Sequence, residues 1–426
     1  MLLEKEQIIK KQGYTLHMIK TDKYKTNTLV WKMKAPLQED SATYRALLPH
    51  VLQSSSKKFP TTTLLRSYLD ELYGTSLYTD LAKKGEQHII TFAMDIANEK
   101  FLQDQTPLLQ KGIDLLREVL LQPNSENGAF DEKTVEKEKR NLKQRIQSIY
   151  DDKMRYASTR LVEEMCKGEA YAVPLNGDLD QVDNITASSL YEYYESVIRN
   201  DELDLYIIGD VDPEQVVEYC SQFEFAERLQ ATNKEQLISK VEEEKEVKEI
   251  QDIKQGKLNM GYRTNIAYGD KDYFAMQVFN GIYGGFPHSK LFINVREKES
   301  LAYYAASRVE SHKGLLMVMS GIENQKYDQA VSIIKKQMDL MKEGQFNDQE
   351  IEQTKAVIQN QFLETIDSAR GLIEILYHNI VAGTNVQLKD WIDKVAETTK
   401  EDIIAVGKKI DLDTIYFLAG KEGEQS

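Results

Sequence analysis

Cysteine is almost missing from this chain: two residues in 426, Cys166 and Cys220. Their separation fits neither a zinc finger nor a redox motif, so both are expected as reduced thiols in a reducing compartment. Long apolar runs are missing too. The opening MLLEKEQIIKKQGY holds no uninterrupted apolar core of the length a secretory signal needs, and no run elsewhere approaches a membrane span. The expectation is a cytoplasmic protein with no membrane partner. Positive charge is in deficit, with 54 Lys and Arg against 69 Asp and Glu, a net charge of -15. That balance repels phosphate backbones and excludes nucleic acid as a partner. The six histidines, His17, His50, His88, His288, His312 and His378, never fall three or four apart, so no helical metal-ligand pair exists. No Gly-x-Ser-x-Gly occurs, and Gly281, Gly284 and Gly285 lead into Phe286-Pro287 rather than Lys-Ser/Thr. Those glycines read as a close-packed turn, which excludes a serine elbow and a phosphate loop.

What is present is an ordinary globular balance, 41% hydrophobic and 29% charged, over a length that implies two or more domains. Strand patterns at 14–18 and 26–33 precede a helical run at 41–52 and a one-faced helix at 64–72. Strands at 77–79 and 88–96 pair across a turn at 83–85, and helices follow at 108–121 and 131–150. The second half repeats this grammar: a strand at 258–263, helices at 273–283 and 289–299, strands at 301–309 and 314–321, and a one-faced helix at 326–342. LYIIG at 205–209 is echoed by IYFLAG at 415–420, and Asn98-Glu99-Lys100 by Asn324-Gln325-Lys326. Residues 233–256 are dense in charge and poor in aromatics, the composition of a solvated connector or hinge. The fold class is therefore α+β, with an N-terminal half at 1–232, a charged linker at 233–256 and a C-terminal half at 257–426. Each half is an antiparallel sheet covered by helices, the two joined as a clamshell.

One string weighs more than its composition. LFINVREKESLAYY, from Leu291 to Tyr304, sets Arg296 and Tyr303 seven positions apart across a change from helical to strand-like pattern. It resembles the second-half motif of the insulinase and pitrilysin-type (inverzincin) zinc metallopeptidases, and the resemblance extends from about Thr26 to Gly420. It implies that Arg296 and Tyr303 contact the substrate backbone as donors to developing negative charge. Tyr304 is adjacent, but the spacing favours Tyr303.

The resemblance also implies where zinc should sit, and there the chain departs from the pattern. Active members carry His-x-x-Glu-His on a first-half helix and a glutamate on a later helix. The register with fewer gaps reads Ala46-Leu-Leu-Pro-His50, with Ala46 for the first histidine, Pro49 for the glutamate, and His50 retained. A second register reads His50-Val-Leu-Gln53-Ser54, with Gln53 for the base and Ser54 for the second histidine. On the later helix, Glu138 keeps the first of two glutamates seven apart, and Arg145 stands at the ligand position. Arginine cannot bind zinc, and catalytic sites of this kind require three protein ligands. No metal is expected in this chain. Loss of zinc beside a retained Arg/Tyr pair resembles the non-catalytic subunit of two-chain, processing-peptidase-like members. The resemblance thus implies a heterodimer in which a homologous subunit supplies zinc and this chain helps bind a peptide substrate, with a homodimer open when the partner is absent. The rival is a scaffold homologue with no part in proteolysis; a self-sufficient peptidase with a rearranged metal site ranks lowest.

Overall fold

The computed structural model describes residues 5–103, 106–225, 240–299 and 301–421. Two compact units divide the chain. The first comprises Met1–Lys83, Gln87–Ser148 and Val173–Asn233, the second Lys84–Glu86, Ile149–Ala172 and Lys234–Ser426.

The first unit is built on β1 (Glu6–Lys11), β2 (Tyr14–Lys20), β3 (Thr26–Pro36), β4 (Ser76–Lys84) and β5 (Gln87–Ala97), a small hairpin of β6 (Ser125–Glu126) and β7 (Ala129–Phe130), and β8 (Glu202–Gly209). The main sheet runs β1-β2-β8-β3-β5-β4. Alternation explains its core face: Leu29, Trp31 and Met33 of β3, with Phe92 and Met94 of β5 and Leu205 and Ile207 of β8, enter one cluster. Helices α1 (Glu39–Ser54), α2 (Thr62–Glu71), α3 (Leu108–Leu121) and α4 (Glu132–Asp151) supply the cover. In α2 the expected apolar face is only partly used, because Leu65 and Leu72 are buried while Leu64 is 50% exposed.

The second unit holds β9 (Lys245–Gln251), β10 (Gly256–Arg263), β11 (Ala302–Glu310), β12 (Leu315–Ile322) and β13 (Asp411–Gly420), ordered β11-β12-β10-β13-β9. Set beside β4-β5-β3-β8-β2, this is the same connectivity. Each sheet is antiparallel apart from one parallel pair at the same place, β2 with β8 and β9 with β13. The halves are therefore homologous repeats of one sheet-and-helix pattern, with β1 as an addition to the first.

Two features escape pattern reading. Part of the charged run expected as a connector is β9, the edge strand of the second sheet. Its alternating half-buried and exposed residues suit an edge where lysine and glutamate meet water. Glu249 within it accepts hydrogen bonds from the Tyr156 hydroxyl at 2.8 Å and the Tyr416 hydroxyl at 2.6 Å. The second feature is helix α5 (Lys153–Met165), which precedes the expected boundary at 232 yet packs in the second unit. Ala157, Leu161 and Met165 lie against Leu315, Met317, Tyr416 and Leu418. Arg263 fixes its end, donating to the Met165 carbonyl at 2.7 Å and pairing with Glu169 at 2.6 Å and Asp413 at 2.9 Å. An apolar helix face does not state which of two similar sheets it will cover.

The glycine string at 281–285 forms one wide, π-type helical turn rather than a loop turn. Close packing is its reason: a Cβ on Gly284 would stand 2.5 Å from Ser307 Oγ and 2.7 Å from Leu291 Cδ1. Both cysteines are buried and neither is in a disulfide. Among the described residues no helix is long and apolar enough to cross a membrane.

One buried charge cluster ties β1, β2 and β8 together. His17, with no exposure, sits between Glu6 at 2.7 Å and Asp204 at 3.0 Å and stacks on Tyr206 at 4.2 Å. Burial pushes the imidazole down, but the bonds to Asp204 and Glu6 outweigh it and raise its pKa to about 9. A raised folded pKa gives stability that is full below the unfolded value of 6.5 and is lost as pH rises through about 9. Urea unfolding across that window should show the chain losing on the order of 3 kcal/mol relative to His17→Gln. Equal pH slopes in the two proteins would contradict this.

Candidate functional site

The first group of candidate residues lies where α1 faces α4. Residues 46, 50 and 54 recur every four positions on α1, and 138 and 145 are two turns apart on α4, so each set shares a face. Ala46 is 1% exposed, and Pro49 lies inside the helix. Ser54 Oγ donates to Glu138 Oε1 at 3.0 Å. Glu138 also takes Asn141 Nδ2 at 2.8 Å on its other oxygen and pairs with Lys137 at 3.0 Å. Burial works to raise this carboxyl's pKa, but the bonds from Asn141, Lys137 and Ser54 prevail and hold it below its ordinary value. Arg145 Nη2 reaches the Ala46 carbonyl at 3.4 Å. His50 Nδ1 lies 3.4 Å from Thr79 Oγ1 of β4, which donates to Gln53 Oε1 at 3.1 Å; Gln53 Nε2 in turn donates to the Leu77 carbonyl at 2.7 Å. Burial, and then the Arg145 charge, push His50 down to about 4, against the pull of Glu138. His50 is therefore neutral at pH 7.

Ala46, Pro49, His50, Glu138 and Arg145 are thus brought together in the first unit, together with Gln53 and Ser54 of the other register. Asn141, Lys137 and Thr79 complete the group and had not been anticipated. Asn141 stands three positions after Glu138 on the same helix face, which is the one signal that pointed to it.

Arg296 and Tyr303 lie in the second unit. Arg296 is exposed on a π-type helical segment, Phe292–Lys298, with its guanidinium 4.6 Å from the Phe292 ring centre. This segment packs against β11, the outer strand of the sheet. The pairing of β11 with β12 steps from Ala302 opposite Ile322 to Tyr304 opposite Gly321, which leaves Tyr303 as the extra residue of a bulge. Bulges turn a side chain out of its sheet, and Tyr303 is 67% exposed. Tyr304 is half-buried under Lys257, whose ammonium stands 5.8 Å from its ring centre. Burial, with Asp152 nearby, raises the Tyr304 hydroxyl to about 12.

The model of the family described as peptidase M16 inactive domain matches residues 184–358. The probable inactive metalloprotease YmfF of Bacillus subtilis (strain 168) is 57% identical over 412 residues, covering 96% of this chain and 97% of that protein. The chain belongs to the M16 peptidase family. The uncharacterized zinc protease YmfH of the same organism is 30% identical over 118 residues, 28% of this chain and 26% of that protein. A crystal structure of a conserved protein from Enterococcus faecalis V583 superposes with a TM-score of 0.93 at 35% identity, over 99% of this chain and 100% of that one. Within the M16 family this chain is an inactive-metalloprotease homologue.

The residues at the α1–α4 face do not fit the zinc that active M16 peptidases hold. Among the described residues, no group of three His, Cys, Asp or Glu side chains is placed to hold a metal. Beside His50 stand a guanidinium, which repels a cation, and a carboxylate with both oxygens already engaged. Elemental analysis of protein purified without chelator should find well under one zinc per chain; a full equivalent, tightly held, would overturn this.

Proposed function

We propose that this chain is the non-catalytic, cytoplasmic subunit of a two-chain M16 metallopeptidase. A homologous partner supplies zinc, and this chain supplies Arg296 and Tyr303 to a peptide substrate. The observation that carries the reading is the contrast between its two candidate sites. At one, a guanidinium and either an alanine or a serine stand where metal ligands are expected; at the other, a bulge holds Tyr303 two-thirds exposed, and Arg296 of the preceding helical segment is exposed as well. A tyrosine two-thirds exposed gives the fold little, so a ligand contact is the better account of it. The presence in one organism of a probable inactive metalloprotease and a zinc protease, both similar to this chain, supports a division of labour.

The test is assembly. Mixed with the zinc-bearing M16 homologue of its own organism, the chain should form a one-to-one complex by native mass spectrometry, and peptide cleavage should require both. A homodimer of this chain with no mixed species, or full cleavage by the partner alone, would favour the scaffold reading instead.

A further inference from the structure

Arg145 occupies a position where family resemblance expects a metal ligand, and its own surroundings suggest what has replaced the metal. A guanidinium carries five N–H donors in a planar fork. Among the described residues only one bond is made, to the Ala46 carbonyl, and at 3.4 Å it is long. No ion pair forms. The nearest carboxylate to act on the charge is Glu138, whose oxygens are taken by Ser54, Asn141 and Lys137. Lys137 is itself spent on Glu138, so it adds no free charge. Burial draws the Arg145 pKa below its usual value, opposed only by Glu138, as expected where a cation lacks a close partner. Arg145 is only half-buried, which leaves the remaining donors open to solvent.

We infer that the α1–α4 face of the first unit, with Arg145 as its anchor, binds a carboxylate of a peptide. A planar carboxylate accepts two parallel bonds from the fork. A monoanion balances the one uncommitted charge, whereas dianionic phosphate would overcompensate it beside Glu138. Neutral His50 lines the same spot, and its Nε2 is unused by any described residue. It offers either a donor or an acceptor to a neighbouring amide. The site would then retain the electrostatic office of the lost metal, a positive centre for a substrate oxygen, without its chemistry. That the carboxylate belongs to a peptide rests on the proposed function; that Arg145 takes a carboxylate does not.

Calorimetric titration of the full chain, without any partner, separates these. The probes are a short peptide ending in Glu, the same peptide amidated at its C-terminus, a version ending in Gln, sodium acetate and inorganic phosphate. The proteins are wild type, Arg145→Gln and Arg145→Lys, each with its melting temperature recorded. Charge-assisted bidentate bonds predict that removing the recognised carboxylate weakens binding by about 10-fold to 100-fold in wild type. Arg145→Gln should abolish that difference, and Arg145→Lys, which loses the fork, should restore it only in part. Sensitivity to amidation would assign the terminal carboxylate, and sensitivity to Gln the side chain; either supports the inference. Acetate binding that depends on Arg145, with peptides no tighter, would overturn the peptide assignment. Stronger binding of phosphate, or affinities indifferent to Arg145, would overturn the carboxylate site itself. Because no partner is present, these outcomes are independent of whether the two-chain complex cleaves anything.

Discussion

Arg296→Ala and Tyr303→Phe are each expected to lower peptide turnover by the mixed complex on the order of 10²-fold or more, since in the proposed role each removes one donor aimed at developing negative charge. Folding should be nearly untouched. Arg296 is exposed with its guanidinium over Phe292, and Tyr303 projects from a bulge at 67% exposure. Substitutions at such surface positions usually fall within about 0.5 kcal/mol. The phenotype is therefore a large fall in rate with an unchanged melting temperature. Tyr304→Phe serves as the internal control, because that ring lies under Lys257 and its hydroxyl is held neutral by burial and by Asp152. It should leave turnover near wild type. If instead Tyr304→Phe is the damaging change and Tyr303→Phe is silent, the assignment of the pair is wrong. Unchanged turnover in all three leaves only a scaffold role.

Arg45→Met should have the largest effect on stability of any single change considered. Arg45 lies on α1 with no exposure. It pairs through Nη1 with Asp201 at 2.7 Å, and through Nη2 donates to the Met33 carbonyl at 3.1 Å and the His88 carbonyl at 3.0 Å. One side chain thus links α1 to β3, to β5 and to the residue that closes the helix Ala187–Asn200. Methionine fills much of the volume but removes the charge opposite a carboxylate that is itself 4% exposed. Breaking a buried pair in this way costs roughly 3 to 5 kcal/mol. Urea unfolding measures it, and Arg45→Met with Asp201→Asn should recover part of the loss, since the two changes share one interaction. A loss below about 1 kcal/mol, at the level of a surface pair, would contradict this role for α1. Since α1 also carries His50 and Ser54, a mobile α1 would loosen the inferred carboxylate site as well.

Much of the fold was legible where hydrophobic alternation and sheet burial agree. TNTLVWKM and HIITFAMDI read as strands because both faces of β3 and β5 are largely buried, and the repeat followed from their second-half counterparts. KEVKEIQ did not, because an edge strand keeps one side in water and its lysines and glutamates look like a connector. Helix α5 was read neither as a helix nor as a member of the second unit, and Leu161 and Met165 suit either sheet. Glycines 281, 284 and 285 announced close packing, while the wide helical turn that achieves it depends on Ser307 and Leu291, distant in sequence. For the candidate site, the resemblance picked out 46 and 50 on one helix and 138 and 145 on another, while 54 lay beyond the helical run read at 41–52 and joins that face because α1 continues to Ser54. What the resemblance cannot supply is the pairing between helices. That Ser54, Asn141 and Lys137 all serve Glu138, leaving Arg145 with a single long bond among the described residues, emerges only in the folded chain.

The central claim is that this chain contributes side chains, and no metal, to a site completed by another M16 chain. Its most direct measurement is the steady-state rate of peptide cleavage by the zinc-bearing homologue, taken alone, with an equimolar amount of this chain, and with the Arg296→Ala/Tyr303→Phe double variant. The account predicts negligible cleavage by the homologue alone, full cleavage with the wild-type chain, and a complex that still assembles but is slowed by at least about 10²-fold with the double variant. Equal rates with the wild-type chain and the double variant, at equal assembly, would contradict it.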